Sequence, residues 1–133
     1  MSQIVRKLIN SKEAAKPVAP YNQAVVADGI VYVSGCLGLC KDTNALVSGG
    51  AANEMAQALQ NMKVILEAAG SGIDKVVKTM IFVDDLADFA RVNQEYKKGT
   101  KNFEVSESEE VTMVAKLPAN AKVEIDAVAI VGT

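Results

Sequence analysis

Three stretches of this sequence predict an α+β chain in which two helices lie against one mostly antiparallel or mixed sheet. Two β-rich runs, residues 24–27 and 30–34, flank Asp28-Gly29, a dipeptide suited to the type I′ turn of a hairpin. Over residues 52–69 the apolar Met55, Ala58, Leu59, Met62, Ile65, Leu66 and Ala69 recur every third or fourth position, with Glu54, Gln57, Lys63 and Glu67 between them. That is the stripe of an amphipathic helix. Near the end, Lys122-Val123-Glu124-Ile125-Asp126-Ala127 alternates. Alternation sends Val123, Ile125 and Ala127 to one face of a strand and Lys122, Glu124 and Asp126 to the other.

At the start of the chain, Ile4, Val5, Leu8 and Ile9 suit a first strand. The basic Arg6, Lys7, Lys12 and Lys16 also hint at a transit peptide, but such peptides are Arg-rich and acid-poor, and the strand is preferred. Lys16-Pro17-Val18-Ala19-Pro20 must be a loop, because each proline fixes φ and removes a donor. Gly70 and Gly72 stop the first helix, since glycine accepts the left-handed conformation that commonly closes one. Met55 and Met62 are read as core. Residues 76–83, VVKTMIFV, are too short and too β-branched for a helix and read as a largely buried strand ended by Asp84-Asp85. A second helix begins near Asp85 or Asp88, whose carboxylates can cap orphan amides, and runs to about Lys98. Its spacing sets Phe89, Asn93 and Tyr96 on one face. A strand over 111–115, a turn at Leu117-Pro118-Ala119-Asn120 and a strand over 122–131 complete the order β-β-β-α-β-α-β-β. The last strand turns wholly apolar, as expected of one entering a sheet or subunit interface.

With 133 residues, 50% hydrophobic and 23% charged, the chain has the composition and room for a single globular domain, 1–133. A formal charge of −2 supplies no basic excess for nucleic acid to exploit. No apolar run approaches the roughly 18 residues of a membrane span, and no signal-peptide core follows the start. A cytoplasmic protein is expected, with a mitochondrial one second. Histidine is absent and cysteine occurs twice, as Cys36 and Cys40. Most zinc sites are thereby removed, as are Ser-His-Asp and Cys-His nucleophiles. No metal is expected. The two thiols are read as free and buried, a disulfide between them closing too small a loop to be useful. Chemistry must rest on carboxylates, tyrosine, lysine, backbone groups or bound water.

Several ordered segments carry a resemblance. Pro20-Tyr21-Asn22-Gln23-Ala24 resembles the GPYSQA segment of the Rid family (the YjgF/UK114 group), and Val31-Tyr32-Val33-Ser34-Gly35 its strand ending in Ser-Gly-Gln. Gln57-Ala58-Leu59-Gln60-Asn61, Val76-Val77-Lys78-Thr79 and Asp88-Phe89 with Val92-Asn93 fit its middle. Lys116-Leu117-Pro118 and Val123-Glu124-Ile125-Asp126-Ala127 fit its end. The similarity spans nearly the whole chain except about 99–112, and the opening looks most like the animal UK114-type branch. The resemblance implies a chorismate-mutase-like α+β fold, assembled as a homotrimer with ligand clefts between subunits. It also implies the RidA-type reaction, hydrolysis of 2-imino or enamine acids such as 2-iminobutanoate and 2-iminopropanoate to 2-oxo acids and ammonia, without cofactor or metal.

In that reaction an arginine clamps the substrate carboxylate, an acid on the last strand handles the attacking water, and a tyrosine and backbone groups complete the cleft. By the resemblance, Tyr21 is the tyrosine, Ser34-Gly35 the backbone segment, Asn93 the helix position and Glu124 the acid. The arginine is missing: counting back from Pro118 puts Glu109 at its place, and the chain has only Arg6 and Arg91. Residues 104–110 also lack the family's proline and carry a short insertion. Ala19 and Cys36 replace the usual glycine and glutamine. Lys101 or Lys116 would be the substitute cations. The deaminase activity is therefore expected to be weakened or lost, the alternative being a non-catalytic trimeric binding or chaperone-like protein. Ribonuclease activity ranks last, without a histidine pair or basic stripe. Cys36 as a reactive thiol and Ser106 or Ser108 as kinase acceptors are weaker readings than a buried thiol and a solvated loop.

Overall fold

The computed structural model describes residues 3–100 and 108–132. Strand β1 (Lys7–Ile9) pairs antiparallel with β2 (Ala24–Ala27), which turns into β3 (Ile30–Cys36). The turn residues Asp28 and Gly29 have φ of 52° and 77°, the left-handed pair that a type I′ turn requires. Helix α1 (Ala51–Ala68) follows, then β4 (Val76–Val83), α2 (Phe89–Gly99), β5 (Ser108–Met113) and β6 (Val123–Ile130). The six strands form one sheet in the order β1-β2-β3-β6-β4-β5. Only the β4–β5 pair is parallel, so the sheet is mixed.

Period decides which side chains meet. On α1, the predicted stripe is buried, with Met55, Ala58, Met62 and Leu66 fully enclosed. It packs on Val31 and Val33 of β3 and on Val123, Ile125, Ala127 and Ala129 of β6, all buried. Helix α2 lies beside α1, where its Tyr96 Oη and Thr79 Oγ1 of β4 share a buried hydrogen bond of 3.0 Å. The other parity of the same strands faces away from both helices. Cross-strand register there sets Tyr32 against Val128, Met80 against Asp126 and Phe82 against Glu124. Glu124 and Asp126 stand on this opposite face.

Asn61 of α1, itself buried, ties the helix to the segment that follows β3. Its Nδ2 donates to the carbonyls of Leu37 at 3.1 Å and Leu39 at 2.9 Å. Asn61→Leu would leave both acceptors without that donor, and a loss of about 1–3 kcal/mol in unfolding free energy is expected. A urea titration measures it; an unchanged midpoint would mean that water replaces the amide.

Several expectations need correction. The first strand is confined to Lys7–Ile9, since only those residues find partners on the short β2. Strand β5 occupies Ser108–Met113 rather than 111–115, because an edge strand ends where its only partner, β4, ends. Asp85 does cap, accepting from Ala87 N at 2.9 Å, but it opens a single 3-10 turn over Leu86–Asp88 before α2 proper starts at Phe89. On α2 the buried pair is Val92 and Tyr96, while Phe89 is 36% exposed. Gly70 closes α1 with φ of 80°, whereas Gly72 is extended. Cys36 is buried, but Cys40 is only half-buried.

Candidate active site

A register slip builds the site. Val33 of β3 pairs with Ala127 of β6 and Cys36 pairs with Ile125, so Ser34 and Gly35 together stand opposite the single residue Asp126. This is a β-bulge, which bends its strand and re-aims the neighbouring side chains. The missing side chain of Gly35 makes room for an acid: a Cβ there would lie 2.5 Å from both Cδ and Oε1 of Glu124. Glu124 thus rests directly on the bulge backbone. The Ser34 hydroxyl donates to the Asn22 carbonyl at 2.7 Å and its amide to the Gln23 carbonyl at 2.9 Å, which holds the Tyr21 segment against β3.

Gln23 organises the loop above. Only 4% exposed, it accepts from Ser11 N at 2.6 Å and donates through Nε2 to the carbonyls of Ser11 at 3.1 Å and Ala15 at 3.0 Å. The proline loop is thereby folded over the bulge. Between them lies a recess of about 30 Å³ lined by residues including Lys16, Tyr21, Ser34, Gly35, Cys36 and Asn61, with room for about one water.

The electrostatics favour protonated acids here. Burial, and then the charge of Asp126, push the Glu124 carboxyl above the usual carboxylate range. Asp126 is also raised by burial, although Lys78 and the Met80 amide oppose the shift. Tyr21 is raised by burial and then by the Glu124 carboxylate, which keeps its phenol neutral. The Cys36 thiol is pushed up to about 12 by burial, with Glu124 and Asp126 adding to it. It stays protonated and is a poor nucleophile. No group of three metal-ligating side chains exists among the described residues. The arrangement can hold a water at the bulge, offer Glu124, in contact with Gly35, as a proton-exchanging carboxyl, and present backbone and phenol groups to a small polar ligand.

Comparison with known proteins identifies the family. The family model described as endoribonuclease L-PSP matches residues 11–131. This chain belongs to that family, the Rid proteins. Its Rid relatives include the RutC family protein UK114 of Drosophila melanogaster, 54% identical over 134 residues that cover 100% of this chain and 95% of that protein. The 2-iminobutanoate/2-iminopropanoate deaminase of Homo sapiens is 43% identical, covering 99% of this chain and 95% of its own length. Among solved structures, the conserved Rid-family protein YyfA of Yersinia pestis, a protein of unknown function, superposes with a TM-score of 0.90 at 33% identity, over 96% of this chain and 100% of that one.

Of the residues singled out from sequence, this Rid chain gathers Tyr21, Ser34, Gly35 and Glu124 on one side of the sheet. Asn93 is half-buried on α2, which packs on the other side, and does not line the recess. Glu109 is placed by its backbone in β5, opposite Thr79 of β4. Lys116 is exposed and is not part of the recess lining. Lys101, Ser106 and most of the insertion over 104–110 lie outside the described residues. Sequence reasoning passed over Gln23 and Lys16. Gln23 stood inside the Pro20–Ala24 segment that carried the resemblance, and that position was the available signal.

Gly35→Ala tests the contact that makes the site. The added methyl must displace the Glu124 carboxylate or the bulge, and displacement of a reacting group by a fraction of an ångström is costly. A fall in turnover of about tenfold or more is expected, with the circular dichroism spectrum unchanged. Full activity would mean that Glu124 does not act from this position.

Proposed function

We propose that this protein hydrolyses small 2-imino or enamine acids to 2-oxo acids and ammonia, at a rate reduced because Glu109 stands where the family carries its arginine. The observation that carries the reading is the half-buried Glu124 carboxylate resting on the Ser34-Gly35 bulge beside a water-sized recess. The relatives named as 2-iminobutanoate/2-iminopropanoate deaminases support the substrate class. Water adds to the electrophilic imine carbon while Glu124 takes its proton. The proton then passes to the substrate nitrogen to give a carbinolamine, whose hydroxyl gives up its own proton to the nitrogen through Glu124 as the carbon–nitrogen bond breaks, so that ammonia leaves as the carbonyl forms. The atoms balance with water alone, so the reading requires no cofactor or metal. Tyr21, neutral and adjacent, can donate a hydrogen bond to the substrate, and the bulge backbone lines its other side.

The recess holds a water rather than a four-carbon acid, so the substrate lies outside it, against Glu124 on the sheet face away from the helices. That face carries the exposed Tyr32 and Ile130, apolar surface that association would bury. A homotrimer with clefts between subunits suits it. Such a cleft also accounts for Asn93, which in one chain stands across the sheet from Glu124. We place the protein in the cytoplasm, acting as one Rid domain on a small acid. Among the described residues no helix is long and apolar enough to cross a membrane.

The test is ammonia and 2-oxobutanoate release from 2-iminobutanoate generated in the assay, compared with the uncatalysed background. Enhancement over background is expected. Background rates from an intact assembly would leave the protein a non-catalytic member of the family.

A further inference from the structure

We propose that Lys16, on the loop folded over the bulge, is the group of this chain that receives the carboxylate of an anionic substrate. The proposal rests on the imine-acid reading and names the ligand contact which that reading lacks. Every other residue lining the recess is uncharged, and Lys16 is the one cation among them. Its backbone is fixed from both sides. The Lys16 amide donates to Asn44 Oδ1 at 3.2 Å, and the preceding carbonyl, that of Ala15, accepts from the buried Gln23 at 3.0 Å. Pro17 fixes φ on the following residue. The exposed Lys16 side chain is thereby rooted at the recess.

Its charge is also uncommitted. Lys41, on the loop that carries Asn44, is ion-paired with Glu13 at 2.6 Å. Lys16 has no ion pair among the described residues. The arginines offer no alternative, since Arg91 is exposed on α2 across the sheet and Arg6 precedes β1. The recess itself is flanked by acid, with Glu124 on Gly35 and Asp126 opposite the bulge. An anionic ligand approaching two carboxylates needs a compensating cation. A lysine suits a mouth without bidentate geometry, because its ammonium is a point charge on a flexible stem with rotatable donors.

The stable product acid, 2-oxobutanoate, serves as the probe, with the neutral 2-oxobutanamide as its control. Binding is followed by amide chemical shifts on the intact protein. Lys16→Gln is expected to weaken 2-oxobutanoate binding about tenfold and to leave the amide unaffected. Lys16→Arg should retain the acid, and the difference between wild type and Lys16→Gln should shrink at high salt, as for any exposed charge. Equal affinity of wild type and Lys16→Gln for the acid, an equal loss for the neutral amide, or no binding of the acid by wild type would each overturn the assignment. Turnover separates this from the catalytic reading. Lys16-dependent binding without ammonia release keeps the carboxylate site and removes the reaction. Ammonia release with binding indifferent to Lys16 does the reverse.

Discussion

Glu124→Gln is expected to lower ammonia release from 2-iminobutanoate by about 10²–10⁴-fold, the usual contribution of a positioned general acid or base. Glutamine preserves the size of the group that rests on Gly35, so binding of 2-oxobutanoate should persist while kcat falls. The proton affinity of Glu124 makes the prediction sharper. Burial and Asp126 hold the carboxyl above the usual range, and the ionised form is the one that accepts a proton from water. In wild type kcat/KM should therefore rise with pH through a value above that of an ordinary carboxylate, and this limb should be absent from the residual activity of the variant. Stability moves in the opposite sense. A folded-state value raised above the unfolded one means that the folded protein holds its proton more tightly, so stability is lost as pH rises from the unfolded value through the folded one. Glu124→Gln should remove that part of the loss, visible as a flatter dependence of the urea midpoint on pH. Undiminished turnover by the variant would take Glu124 out of the chemistry.

Glu109→Arg is expected to act in the other direction and to raise kcat/KM for 2-iminobutanoate by about one to two decades. A charge-assisted hydrogen bond to a carboxylate is worth roughly 1.5–3 kcal/mol, and about 1.4 kcal/mol is tenfold. Removing a like charge beside an anionic substrate adds to the gain. The backbone of β5 is already held in the parallel ladder with β4, Glu109 opposite Thr79, so the exchange does not ask the strand to form anew. Measuring both variants and wild type on the same imine preparation separates the effects. A variant no faster than wild type would mean that position 109 does not face the substrate, and would leave Lys16 as the cation that matters.

The chain order of strands and helices was legible because period and side-chain chemistry are local. Asp28-Gly29 alone demands a left-handed turn, and the α1 stripe from Met55 to Leu66 needs only its own spacing to declare a buried face. Alternation along Val123–Ala127 likewise announced which residues of β6 would be enclosed. Glu124, Tyr21, Ser34 and Gly35 were legible as a set only through resemblance, since nothing local marks a half-buried strand carboxylate as different from a solvated one. What brings them together is a difference of one residue in the spacing of two strands far apart in the chain, two residues of β3 against one of β6. Pairing register is a tertiary quantity. For the same reason the end of β5 depended on its partner β4, and the place of Lys16 depended on Gln23 and Asn44 holding a loop whose own sequence says only that it contains prolines. Local chemistry determined the elements and resemblance named the candidate acid, whereas the fold decided which face that acid occupies, what glycine makes room for it, and which cation lines the nearby recess, because register and loop packing join residues far apart in the chain.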